Sequence, residues 1–247
     1  IPWFRLLYIY SDGLRDPLIE LMAAESRLLP YIDMPIQHAA DPVLERMRRP
    51  ERAATLREKI ARLRDAIPDL TLRTTVLVGF PGETDDDFRA LLDFLEEAEF
   101  DRLGAFAFSP QDGTRAATME DRFVPEGQAR DRLEELLEVQ RAISAERLAR
   151  EVGRRREVIV DREAEGRLQG RTRGQADDVD GVTYLSTDRD WIPGTLLEAD
   201  IVSAHDYDLE AELVGEVRSA PTADRETPTA ARRLPLAPMG LDSGVGR

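Results

Sequence analysis

The chain has 247 residues, a formal charge of -15 and no cysteine. That length allows one sizeable core, or one domain with a smaller module. The missing thiols exclude disulfides, zinc–thiolate sites, iron–sulfur ligation and a cysteine nucleophile within these residues, and two histidines are too few for a His-based metal site.

The acidity disfavours general nucleic-acid binding, which needs basic patches, and suits either a basic protein partner or solubility alone. No apolar run approaches the ~18–20 residues of a membrane span. The opening IPWFRLLYIYSDG has no basic flank and no small-residue cleavage site, so a signal peptide is not expected and the cytoplasm is the expected location. The chain also opens mid-pattern without an initiator Met, as though further sequence preceded it.

In chain order, four apolar, β-rich segments are predicted as strands: Phe4–Tyr10, Tyr31–Ile36, Leu70–Gly79 and Leu103–Ser109. Helical patterns separate them. Asp16-Pro17 and Asp41-Pro42 each read as an N-cap aspartate with proline at the first helical position. Leu56, Ile60 and Leu63 mark another helix. Phe88, Leu91, Leu92 and Leu95 fall at i, i+3, i+4 and i+7, so their helix buries one stripe. Alternating strands and helices, with near-continuous apolar strands, predict a parallel sheet covered by helices.

A long helical pattern follows Pro125 and stops near Gly153. The texture then changes to five short strand candidates: Glu157–Asp161, Leu168–Thr172, Val182–Leu185, Leu196–Ser203 and Glu210–Val217. Glycines punctuate them, which predicts a small all-β barrel or sandwich. The divisions are therefore 1–152, 153–218 and 219–247, the last a Pro-, Thr- and Arg-rich tail expected to be disordered.

Ligands of parallel α/β sheets gather beyond the carboxyl ends of the strands. Three such ends stand out: PIQHAAD (35–41), VGFPGET (78–84) and FAFSPQDGT (106–114). Gln37 and His38 are polar residues at the end of an apolar strand; they either serve the following helix and loop or offer polar groups to a ligand. Gly79 admits a close approach to the backbone. Pro81-Gly82 is the pair favoured at the centre of a type II turn. Thr84 can cap the next helix with Asp87 as a variant capping box. Asp85, Asp86 and Asp87 disfavour phosphate there, and no lysine follows the glycines, so a P-loop is excluded. Arg73, inside a buried strand, needs a partner: either a ligand carboxylate or solvent near the strand's start. Ser109-Pro110 and Gly113-Thr114 need be no more than a turn.

Together, YIDMPIQHAADPVLERMRRP, LTLRTTVLVGFPGETDDDF, DRLGAFAFSPQDGT and QRAISAERLAREVGR resemble the methylthiotransferases of the radical S-adenosylmethionine (SAM) superfamily, from residue 1 to about 217. The resemblance implies an α/β fold: an incomplete (β/α) barrel of the radical SAM type, followed by a small all-β TRAM-like barrel. PIQHA, LTLRTT and AHDYDLEAELV (204–214) resemble the branch that methylthiolates the β-carbon of an aspartate in a small-subunit ribosomal protein, rather than the branch acting on tRNA adenosines. The balance from Val152 to Val217, 16 acidic side chains against 8 arginines, suits a basic ribosomal protein better than RNA.

By the same resemblance, the full family uses SAM and [4Fe-4S] clusters. Gln37 and His38 would lie near the ribose and amino-acid portion of SAM. Arg73 would face the barrel interior, Val78, Gly79 and Phe80 would flank the adenine, and Phe108 and Ser109 would line the last strand's end. Phe108 departs from the tyrosine often found there. The cluster cysteines belong upstream of residue 1 in the family, so this chain resembles a C-terminal portion and is expected to be unable to cleave SAM. The alternatives are a fragment of a tRNA methylthiotransferase and a non-catalytic module that binds a ribosomal protein. A barrel without its first strands would expose an edge and apolar surface, so poor solubility is expected.

Overall fold

A computed structural model describes residues 3–164 and 166–219. Its first half is built on four strands, β1 (Phe4–Leu6), β2 (Leu28–Asp33), β3 (Thr71–Val78) and β4 (Arg102–Ala107), all parallel and in the order β1-β2-β3-β4. Between and after them come α1 (Asp16–Ala24), α2 (Asp41–Arg46), α3 (Ala53–Ala66), α4 (Asp85–Ala98) and α5 (Glu126–Ala149).

Burial alternates along β3 with the two-residue period of a strand. Leu72, Thr74, Val76 and Val78 are buried on the outer face, where Leu56, Ile60 and Leu63 of α3 and Phe88, Leu91 and Leu95 of α4 complete one core. Thr71, Arg73, Thr75 and Leu77 face the other way and stay half-buried. Next to Leu77, Phe106 of β4 is 60% exposed. Parallel sheets are usually covered on both faces. Here helices cover one face, and the concave face is open over its carboxyl half.

All four predicted strands form, with shifted ends. The first stops at Leu6, and Tyr8 adopts a φ of 58° that breaks the extended chain. The second runs three residues earlier than its apolar pattern, because Pro35 has no N–H to donate and regular pairing ends at Asp33. Both proline-bearing helices also start one residue early. Asp16 and Asp41 are the first helical residues rather than the caps, and Arg15 and Ala40 stand in the cap positions without side-chain cap bonds. Proline fits one place further in because the first helical N–H groups have no intrahelical acceptor anyway. Asp41 Oδ1 instead accepts from Ala53 N–H at 2.8 Å, tying α2 to the start of α3.

The second half is β5 (Arg155–Ala164), β6 (Arg167–Thr172), β7 (Thr183–Ser186), β8 (Leu196–Ala204) and β9 (Leu209–Arg218). They close in the order β5-β6-β7-β9-β8, a barrel and not a sandwich. Val158, Val160, Leu197, Ala199, Ile201 and Ala211 fill it, and Leu148 from the end of α5 packs into the same core. The expected tail, apart from Ser219, lies outside the described residues. Among the described residues no helix is long and apolar enough to cross a membrane.

Candidate active site at the open barrel

The turn after β3 is built as its sequence suggests. Glu83 N–H donates to the Phe80 carbonyl at 2.9 Å, and Gly82 takes the φ of 81° that a type II turn requires. Thr84 caps α4: its Oγ accepts from Asp87 N–H at 3.1 Å, while Asp87 Oδ2 accepts from Thr84 N–H at 3.1 Å. Gly79 has a φ of 72°, and a Cβ there would lie 2.6 Å from that of Ala129. The close approach that Gly79 permits is that of α5.

Beneath this turn lies a buried ionic group. Glu83, whose side chain is fully buried, accepts from Phe80 N–H at 3.2 Å and from Arg132 Nη1 at 2.9 Å. Arg132, on α5, also holds Asp85 at 2.6 Å and the Glu83 carbonyl at 3.3 Å. The imidazole of His38 is fully buried; its Nδ1 accepts from Ala40 N–H at 2.9 Å, and its Nε2 stands 3.7 Å from Glu83 Oε2. The acceptor role of Nδ1 puts the proton of the neutral ring on Nε2, aimed at the carboxylate. At 3.7 Å the two groups are in proximity without a hydrogen bond, so His38 packs the β2–α2 loop against the turn after β3 and leaves its buried Nε2 unpartnered.

Gln37 has a φ of 66°; its N–H donates to Thr75 O and its carbonyl accepts from Leu77 N–H, extending the β2–β3 pairing past Pro35. Its side chain is half-buried. The Phe80 and Phe108 rings meet edge to face, centroids 5.4 Å apart, in an apolar group with Ala40, Val43, Leu77 and Met47. Val78 points its side chain into the outer core, and its carbonyl accepts from Phe108 N–H at 2.8 Å. Ser109 is exposed. Gln37, Val78, Gly79, Phe80 and Phe108 thus gather at one end of the sheet, with His38 under them.

Arg73 does not join them; it sits about 16 Å back along the strand from Val78, at ~3.3 Å per residue. Its guanidinium meets two carboxylates of the chain itself: Asp33 Oδ1 at 3.3 Å and Asp180 Oδ1 at 3.7 Å, the second from the loop between β6 and β7. Asp180 Oδ2 accepts from Tyr31 Oη and from Ala176 N–H, both at 2.7 Å. The Arg5 guanidinium lies 4.6 Å over the Tyr31 ring. Burial above all, then the Asp180 charge and hydrogen bond, pushes the Tyr31 hydroxyl well above its ordinary value of 10.0. The small barrel therefore plugs the lower half of the concave face. Sequence reasoning asked for a partner of Arg73 and missed both of them. Asp33 lies directly opposite Arg73 in the β2–β3 register, so the one usable signal was an aspartate in an apolar strand; Asp180, over a hundred residues away, gave none.

The donor set does not fit an iron–sulfur cluster. The chain has no cysteine, and among the described residues no group of three or more His, Cys, Asp or Glu is placed to hold a metal. SAM is a different case. Gln37 and Phe108 are half-buried at this end of the sheet, Phe80 is buried behind Phe108, and Phe106 beside Leu77 is exposed, so both polar and apolar side chains are present there. That is a donor set suited to a nucleoside.

A radical SAM superfamily model matches residues 2–95, and a TRAM domain model matches residues 152–214. Among similar proteins, the ribosomal protein uS12 methylthiotransferase RimO of Geobacter sulfurreducens is 44% identical over 87% of this chain and 48% of its own length. That of Trichlorobacter lovleyi is 46% identical over 87% and 48%. That of Sorangium cellulosum is 41% identical over 98% and 51%. The chain spans about half the length of these curated relatives. Both domain models fall in order along one chain, and the similarity to these methylthiotransferases runs through both, so the chain joins a radical SAM segment to a TRAM domain.

Proposed function

We propose that this chain supplies the later barrel strands and the TRAM domain of an enzyme that adds a methylthio group to the β-carbon of an aspartate in ribosomal protein uS12. One observation carries the reading: the identity to uS12 methylthiotransferases continues through the TRAM domain, the region expected to meet the substrate. In that role, Gln37, Phe80, Phe108 and Ser109 would hold SAM at the open end of the barrel, while Gly79 lets α5 close against the turn. His38 would act through Glu83, and Val78 through its backbone. Arg73 would act from below, by fixing the TRAM domain against the barrel. SAM, when bound, supplies the adenosyl radical precursor and the methyl group. The chain's own residues seat the nucleoside and exclude water from it with the Phe80–Phe108 pair. The acidic TRAM surface suits a basic ribosomal protein, and the cytoplasm is where ribosomes are modified.

In a strain deleted for this gene, mass spectrometry is expected to find uS12 without its methylthio-aspartate and tRNA unchanged. Loss of a tRNA methylthio group with uS12 intact would overturn the reading in favour of the tRNA branch. Both modifications intact would favour a binding module without chemistry.

The 247-residue polypeptide by itself is expected to bind no stoichiometric iron after anaerobic reconstitution and to form no 5'-deoxyadenosine from SAM. Its lack of thiolate ligands is the reason. Iron quantification with a cleavage assay checks this, and a cluster with turnover would refute it.

A further inference from the structure

At the opposite end of the sheet from the SAM-side loops, a cavity of about 640 Å³ lies between the strand starts and the TRAM barrel. Seven arginines and four carboxylates line it, a local positive excess in a chain whose formal charge is -15. The carboxylates are already engaged. Asp101 holds Arg147 at 2.7 Å, Asp69 and Glu151 hold Arg154 and Arg156, and Glu25 is neutralised by Arg27 at 2.7 Å. Arg150 is paired with Glu99, outside the cavity, at 3.0 Å.

Three guanidiniums are left with weak compensation or none. Arg64 Nη2 donates to the Glu99 carbonyl at 2.8 Å, and its Nε is buried without a partner. Arg102 is buried and donates to the Tyr207 carbonyl at 3.1 Å. Neither forms an ion pair with a described carboxylate. Arg173 reaches the Ser26 carbonyl and stands 3.7 Å from Glu157, with its Nε also buried and unpartnered. A buried charge without a counter-ion is costly. Burial first, and Arg147 next, lower the pKa of Arg64, against smaller opposing pulls from the Asp101 and Glu99 carboxylates.

We infer that this cleft binds a small phosphate-bearing anion, held by Arg64, Arg102 and Arg173, with its apolar body against Ile67, Leu70 and Leu148. The three arginines come from α3, β4 and the β6–β7 loop, and all three line the cavity. A tetrahedral phosphate has acceptor oxygens for all three, whereas a carboxylate offers two in one plane. The volume lies within the ~300–1,000 Å³ usual for small-molecule sites. Both domains contribute, so the ligand would also hold them together. The inference is independent of the methylthiotransferase reading, and its failure would leave that reading as it stands.

The test is calorimetric titration and thermal unfolding of the full 247-residue chain, with inorganic pyrophosphate and, separately, adenosine triphosphate. Saturable binding of at least one probe, with a raised Tm, is expected. Affinity should fall about tenfold or more in Arg64→Gln and in Arg102→Gln, the loss of one charge-assisted contact. Arg89→Gln, on the exposed face of α4, should bind as the parent does. Arg173→Gln, at the exposed edge of the cleft, gives the same reading if a buried variant fails to fold. No saturable binding of either probe at millimolar concentration would overturn the proposal. So would cleft variants that bind as tightly as the parent, or an equal loss in Arg89→Gln.

Discussion

Asp180→Ala is expected to lower stability by about 3 kcal/mol, the scale for removing one partner of a buried ion pair. Asp180 is almost wholly buried, and its carboxylate receives the Tyr31 hydroxyl, the Ala176 amide and the Arg73 guanidinium. Its loss leaves the Tyr31 hydroxyl and the Ala176 amide without this acceptor and leaves Arg73 with Asp33 alone. Urea unfolding measures the cost. Hydrogen exchange should show faster exchange at 176–181 and in β2, while the far side of the TRAM barrel stays protected. Asp180→Asn keeps an acceptor oxygen for Tyr31 and Ala176 and removes the charge, so its cost should be smaller. Equal stability of Asp180→Ala and the parent would mean that the cluster does not join the domains.

The same cluster gives an alkaline signature. The Tyr31 pKa is raised on folding, so its contribution is fully present below pH 10 and lost as pH rises through the folded value. Above pH 10 the unfolded chain releases this proton and the folded chain keeps it. Stability should therefore fall from pH 10 upward, and less steeply in Tyr31→Phe. Identical slopes would contradict the assignment.

The second large effect is at the turn after β3. Arg132→Met should destabilise by about 3–5 kcal/mol, because it leaves Glu83 charged, dry and without its guanidinium. Adding Glu83→Gln should recover most of the loss, since the amide still accepts from Phe80 N–H and no charge remains to bury. A double-variant cycle in urea measures the coupling. Additive costs would show that Glu83 and Arg132 do not depend on each other. The VGFPGET turn is thus held from below by an arginine 49 positions further along the chain.

Much of the architecture was legible because it follows from local rules. Four strands, the helices between them and five barrel strands are set by the periodicity of apolar residues, and the capping box at Thr84 by four consecutive positions. The strands end short of their apolar runs where proline and a positive φ interrupt them, as at Pro35 and Tyr8. Gly79 admits a close approach to the backbone, and in the fold α5 makes it; helix packing across 50 residues has no local trace.

From its sequence alone the chain determined the order of its elements, its α/β and all-β halves, its acidity and its lack of cluster ligands. Those depend on composition and short-range pattern. Tertiary structure decided which charges meet. Arg73 finds Asp33 across a strand register and Asp180 across a domain boundary; His38 finds Glu83, and Glu83 finds Arg132. It also decided that Arg64 and Arg102, 38 positions apart, line one cavity, each bonded to a backbone carbonyl and neither in an ion pair with a described carboxylate. A charge's partner depends on distance in space, and residues separated by 40 to 150 positions come within 4 Å only when the two cores have packed.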